Sequence, residues 1–120
     1  QYKKKKIQAV FDYPWTLVAI SNILENAIKY SKENSMVKVN VMQYDMYAKI
    51  DITDNGIGID YTETEAIFKK FYRTKEAKEQ EGLGIGLYIA RHIIREQCGY
   101  IKVSSIVGKG TMFSVFLPRV

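Results

Sequence analysis

In "SNILENAIKYS", Asn22, Asn26 and Lys29 are spaced by four and three, which puts all three on one face of a helix. Asparagine is a mediocre helix former, so two on one face ask for a reason. An amide oxygen is a hard, neutral ligand suited to Mg²⁺ beside phosphates, and a lysine supplies a point charge for phosphate. A solvated polar face is the plainer alternative. In "DITDNGIGID", Asp54 stands where an alternating strand runs out. A carboxylate there can accept a hydrogen bond from an exocyclic amine such as adenine N6, and Gly56 and Gly58 would let the backbone close over a flat base. The plainer alternative is an Asp-Asn-Gly turn. In "EGLGIGLYIARH", Gly82, Gly84 and Gly86 alternate just before a helical pattern. A helix N-terminus offers unpaired N–H donors and a positive dipole end, and glycines clear the approach to them. Such a site takes an anion, most often phosphate. The stretch lacks both the Gly-Lys-Ser/Thr ending of a P-loop and G-x-G-x-x-G spacing.

The elements that must position these groups are legible around them. "KIQAVF" reads as a short strand. "FDYPWTLVAISNILENAIKYS" reads as a long helix with Asp12 as N-cap and Pro14 in its first turn. Leu17, Ile20, Leu24, Ala27 and Ile28 form its apolar stripe, with the Asn22 face roughly opposite. "MVKVNVMQYD" and "YAKIDITD" alternate as half-buried strands, with a hairpin at Asp45 and Met46. "TETEAIFKKFY" reads as a short helix, and the charged "RTKEAKEQE" has no apolar period. After the glycines, "IGLYIARHIIREQ" is a helix ended by Gly99, and "YIKVSSIV" and "TMFSVFLP" are strands joined at "GKG". Hairpins separated by helices predict one mixed sheet with helices packed on one face.

A length of 120 residues fits one domain, 1–120, able to bury a real core. No apolar run approaches the roughly 20 residues of a membrane span, and no leader pattern is visible. The single cysteine, Cys98, rules out an internal disulfide and fits a reducing compartment. The net charge is +5, much of it in Lys3 to Lys6 and in the lysines of residues 69–78. These cations are not interleaved with regularly spaced aromatics, and no nucleic-acid motif accompanies them, so no nucleic-acid partner is expected.

"NILENAIKYS", "DNGIGI", "FKKFYR", "GLGIGLYIA" and "GKGTMFSVFLP" occur in the order and spacing of the ATP-binding domain of sensor histidine kinases. They resemble that family's N box, first glycine box, F box, second glycine box and GT motif, over about residues 7–118. The resemblance implies a Bergerat-type α/β fold, a two-layer sandwich that binds ATP and Mg²⁺. It implies that Asn26 coordinates Mg²⁺, that Lys29 helps bind ATP and that Tyr30 lines the site. It gives Asp54 to adenine N6, with Gly56, Gly58 and Thr111 completing the adenine end. Ile59, Tyr72, Leu83, Ile85 and Leu87 join the nucleotide-binding set, and Gly84 and Gly86 supply backbone donors to the phosphates. Arg73 resembles the arginine that approaches the terminal phosphate, and residues 74–81 would form a lid. Phe68 and Phe71 resemble the F-box aromatics; packing on the core is an equal reading for both.

ATP hydrolases and serine kinases of the wider superfamily resemble one another in having a glutamate, the general base, four positions before the magnesium asparagine. Here that catalytic position holds Asn22, and Glu25 points about 100° away from Asn26. A histidine acceptor needs less help, since a neutral imidazole is nucleophilic near pH 7. The family's acceptor lies on a separate helical hairpin, whereas the only histidine here, His92, lies in the helix after the second glycine box. His92 is expected on that helix's surface or partly packed, and Cys98 is expected to pack. The resemblance thus implies transfer of the γ-phosphoryl group to a histidine-bearing helical dimerisation domain of the same protein, and indirectly to a response regulator. The whole protein would be a homodimer, and this would be the cytoplasmic part of a membrane-anchored bacterial sensor kinase. An ATP-dependent binding module and an ATP hydrolase stay open as alternatives.

Overall fold

A computed structural model describes residues 9, 11–31, 35–70, 72 and 85–119. Helix α1 runs Tyr13–Tyr30. The Asp12 carboxylate accepts a bond from the Trp15 N–H at 3.2 Å, and proline occupies the first turn, as the sequence predicts. Helix α2 spans Gly86–Glu96. Strands β1 (Lys38–Gln43), β2 (Tyr47–Asp54), β3 (Tyr100–Ile106) and β4 (Gly110–Pro118) form one sheet in the order β1-β2-β4-β3. Every pairing among them is antiparallel, because two hairpins meet along β2 and β4. The parallel pair of a mixed sheet is not among these four strands, and most of "KIQAVF" lies outside the described residues.

Register decides which side chains meet the helices. Ile52 pairs with Phe113 and Phe113 with Val103, while Ile50, Val115 and Ile101 form the next row. Their faces pack against Ala19, Ile23 and Ala27 of α1 and Ala90, Ile93 and Ile94 of α2. The three alanines let the helices come close, and burying a side chain such as Ile23 contributes about 1.5–3 kcal/mol. The far face of the sheet holds a buried polar contact, with the Ser114 hydroxyl donating to Asp51 Oδ1 at 2.6 Å and the Lys49 ammonium 3.4 Å from Asp51 Oδ2.

The expected stripe of α1 is rotated. Its buried row is Thr16, Ala19, Ile23 and Ala27, while Leu17 and Ile28 are 54% and 66% exposed. Thr16 joins the buried row because its hydroxyl bonds the Gln97 side chain, a partner invisible to a count of apolar residues. The Asn22 face therefore flanks the core, about 100° round from its centre, rather than opposing it.

The short helix expected in "TETEAIFKKFY" is replaced by two 3-10 turns, Tyr61–Glu63 and Ala66–Phe68. Asp60 caps the first through the Thr62 N–H at 2.9 Å and the Thr62 hydroxyl at 2.7 Å. Competing side-chain bonds and two β-branched threonines leave too little to offset the cost of nucleating an α-helix.

Candidate nucleotide site

The end of β2 gathers most of the predicted adenine residues. Asp54 is 6% exposed and faces the helix layer in register with Thr111, which pairs in turn with Ser105. Its Oδ1 accepts the Gly56 N–H at 2.8 Å. Burial pushes the Asp54 carboxyl above its usual range, opposed by the backbone bonds from Gly56 and Thr111. The glycines beyond it serve the protein's own backbone. A β-carbon on Gly56 would lie 2.2 Å from the Tyr30 carbonyl oxygen, and one on Gly58, at φ +76°, 2.2 Å from that of Ile106. Gly56 and Gly58 thus let the loop wedge between the end of α1 and the β3–β4 turn, tied by Ile57 N–H to Tyr30 O at 3.3 Å and Gly108 N–H to Ile57 O at 2.8 Å.

Ser105 was not singled out in the sequence. Its hydroxyl receives the Ile59 N–H at 2.7 Å, donates to Gly110 O at 2.9 Å and lies 2.7 Å from the Thr111 hydroxyl. With its one hydrogen on Gly110, the Thr111 hydroxyl donates to Ser105 and keeps its own lone pairs available. Pairing "YIKVSSIV" against "TMFSVFLP" in register was the signal that could have found it. Ile59 is a core residue at 9% exposure, supplying this N–H rather than an open side chain.

The residues expected at the phosphate end lie where α1 meets α2. Asn22 donates from Nδ2 to the Gly86 carbonyl at 3.3 Å, docking α1 on the first turn of α2. Asn26 lies one turn further along the same side of α1, half buried. Lys29 is exposed in the last turn, its ammonium 5.7 Å from the Tyr30 ring centroid, where a cation also suits the helix dipole. Ile85 is the N-cap of α2 without a side-chain cap, so the first N–H groups at Gly86 and Leu87 keep the character of an anion site. Leu87 also packs against the core.

Phe68 is 2% exposed and meets Phe113 edge-on at 6.3 Å, which selects the core-packing reading. Arg91, also absent from the sequence reading, lies 4.4 Å over the Phe68 ring and bonds Glu65 at 2.7 Å. Tyr72 is half buried, its hydroxyl donating to Glu63. Phe71, Arg73, the lid 74–81, Gly82, Leu83 and Gly84 lie outside the described residues. His92 is on the exposed side of α2, stacked on Tyr88 at 6.5 Å, as expected of a surface residue. An apolar cleft of about 300 Å³, lined by Phe11, Leu17, Ile20 and Ile50 among others, does not include Asp54 in its lining and has none of this chemistry.

Residues 12–120 match the family described as histidine kinase-, DNA gyrase B- and HSP90-like ATPase. The chain belongs to that family, as the ATP-binding catalytic domain of its histidine kinases. It is 39% identical over 100 residues to the adaptive-response sensory kinase SasA of Synechococcus sp. (strain JA-3-3Ab), covering 82% of this chain and 26% of that protein. It is 36% identical over 119 residues to the sensor protein kinase WalK of Staphylococcus aureus, covering 96% of this chain and 29% of that protein. The chain thus spans little more than a quarter of these curated relatives. Among solved structures, the mycobacterial sensor histidine kinase MprB superposes with a TM-score of 0.86 at 31% identity, covering 92% of this chain and 76% of that one. The α/β sandwich of the sequence reading is that of these kinase domains.

Proposed function

We propose that this domain binds Mg–ATP between α1, α2 and the end of β2, and passes the γ-phosphoryl group to a histidine on a helical dimerisation domain of the same protein. The observation that carries the nucleotide reading is the buried Asp54 carboxylate, half satisfied by Gly56 and set beside Thr111 at a strand end. A buried acceptor of that kind suits a flat base bearing an exocyclic amine. The donor set also fits the rest of the ligand: the α2 N-terminus would take phosphate oxygens, and Asn26 would offer an amide oxygen to Mg²⁺. Among the described residues no three His, Cys, Asp or Glu side chains gather for a metal. One protein ligand plus phosphates is a usual arrangement for Mg²⁺, whose charge would offset that of the phosphates. Asn22 favours phosphoryl transfer over hydrolysis, because its amide is spent on Gly86 and it offers no carboxylate to activate water.

The acceptor histidine would reside on a hairpin elsewhere in a homodimeric, membrane-anchored parent, with a response regulator downstream and no nucleic acid involved. In this chain no described helix is long and apolar enough to cross a membrane. Calorimetry tests the nucleotide reading. Asp54→Ala removes a bond of about 1.5–3 kcal/mol, so ATP affinity should fall about ten- to a hundredfold. Asp54→Asn, which keeps an acceptor for Gly56, should show a loss in the same direction. Unchanged affinity in both variants would refute the assignment.

A further inference from the structure

Arg91 occupies a place that surface electrostatics alone does not explain. Its guanidinium lies 4.4 Å over the ring of Phe68 and bonds Glu65 at 2.7 Å, both partners being in the segment between β2 and α2. Phe68 also meets Phe113 of the sheet edge-on, at 6.3 Å between ring centroids. The Glu65 side chain is 85% exposed, so the ion pair contributes little by itself. The Arg91 side chain is 19% exposed and the ring 2%, so the stacked contact is the desolvated part. A second tie runs parallel to it, with the Lys70 ammonium 5.5 Å from the centroid of Tyr88 on α2. Two residues after Lys70 stands Tyr72, whose backbone N–H returns to Lys69 O at 3.2 Å and whose hydroxyl reaches Glu63.

We propose that Arg91 is a positioning residue: by stacking on Phe68 while bonding Glu65, it holds the turns of residues 61–70 against α2 and so sets Tyr72 relative to the phosphate-binding end of that helix. The proposal rests on the phosphoryl-transfer reading above. Only a planar guanidinium can lie flat on a ring and present a fork to a carboxylate at the same time; a lysine keeps the charge and loses the stack. Apolar burial alone would hold Phe68 in the core while leaving the flanking turns free to shift.

The test compares wild type with Arg91→Lys, which keeps the charge and stem. Amide hydrogen exchange in residues 61–70 should quicken in the variant, while β2, β4 and residues 87–96 stay as protected as in wild type. In the parent kinase, transfer to histidine at saturating Mg–ATP should fall about tenfold or more, with the dissociation constant of a non-hydrolysable ATP analogue within about twofold. Exchange in 61–70 unchanged, or quickened equally across the whole domain, would overturn the proposal. So would an unchanged rate at saturating nucleotide, or a loss explained wholly by affinity. Should the wild-type parent pass no phosphoryl group to histidine, the function reading fails, and the exchange comparison still decides whether Arg91 holds the segment.

Discussion

Asp54 is held in two opposing ways, by burial that favours its neutral form and by N–H donors that favour its charge. The net effect raises its pKa above the ordinary 3.8. In the ligand-free fold the neutral form is therefore favoured more than it is in the unfolded chain. That contribution to stability is fully present below the unfolded-state pKa and is lost as pH rises through the raised folded value. A nucleotide amine needs the ionised form, so ATP affinity should fall as pH drops through that same raised value. Asp54→Asn should flatten this pH dependence in calorimetry, and its stability relative to wild type should rise with pH across the same window. Asn22 gives a second expectation. It acts as a donor to Gly86 O, a role that a carboxylate cannot fill, so Asn22→Asp should cost about 1–3 kcal/mol, read as a lower denaturant midpoint; Asn22→Ala should cost less. Asp54 was legible because a strand end followed by two glycines is a local signal. Ser105 and Arg91 were not, because their meaning comes from register and from a turn folded back on α2.

At the scale of elements, the end of α2 departs from its expected form. Gly99 was expected to stop the helix, but Cys98 takes the left-handed conformation at φ +64°. Gly99 N–H bonds Ile94 O at 3.0 Å and Cys98 N–H bonds Arg95 O at 3.0 Å, the paired closure of a Schellman motif. Glycine is required one residue later for space, since a β-carbon there would lie 2.2 Å from the Phe116 carbonyl oxygen. Cys98, expected to pack, is exposed as a result. Cys98→Gly should relieve the left-handed strain and stabilise the domain by about 1 kcal/mol after the entropy of the new glycine is deducted. The thermal midpoint should rise by about 3–6 °C; a fall would show that the thiol contributes packing. Helix α1, both hairpins and α2 were legible because cap, period and turn residues agreed. The rotation of α1 was not, because Thr16 and Gln97 lie at opposite ends of the sequence.

Across the whole molecule, α2 is tied to α1 at both of its ends, by Asn22 to Gly86 at its start and by Gln97 to Thr16 and to Asp12, the N-cap of α1, at its finish. In the proposed reading such a frame holds a nucleotide for transfer to a histidine on another domain. His92 is stacked on Tyr88 on the outward side of α2. The domain should therefore bind ATP yet neither label itself nor hydrolyse ATP quickly. The most direct measurement is incubation with γ-labelled ATP, first with this chain alone and then with the histidine hairpin of its parent protein added. The chain alone should take up almost no label. With the hairpin present, label should appear on the hairpin's histidine, labile to acid and stable to alkali. Strong labelling of His92, or brisk hydrolysis without the hairpin, would contradict it.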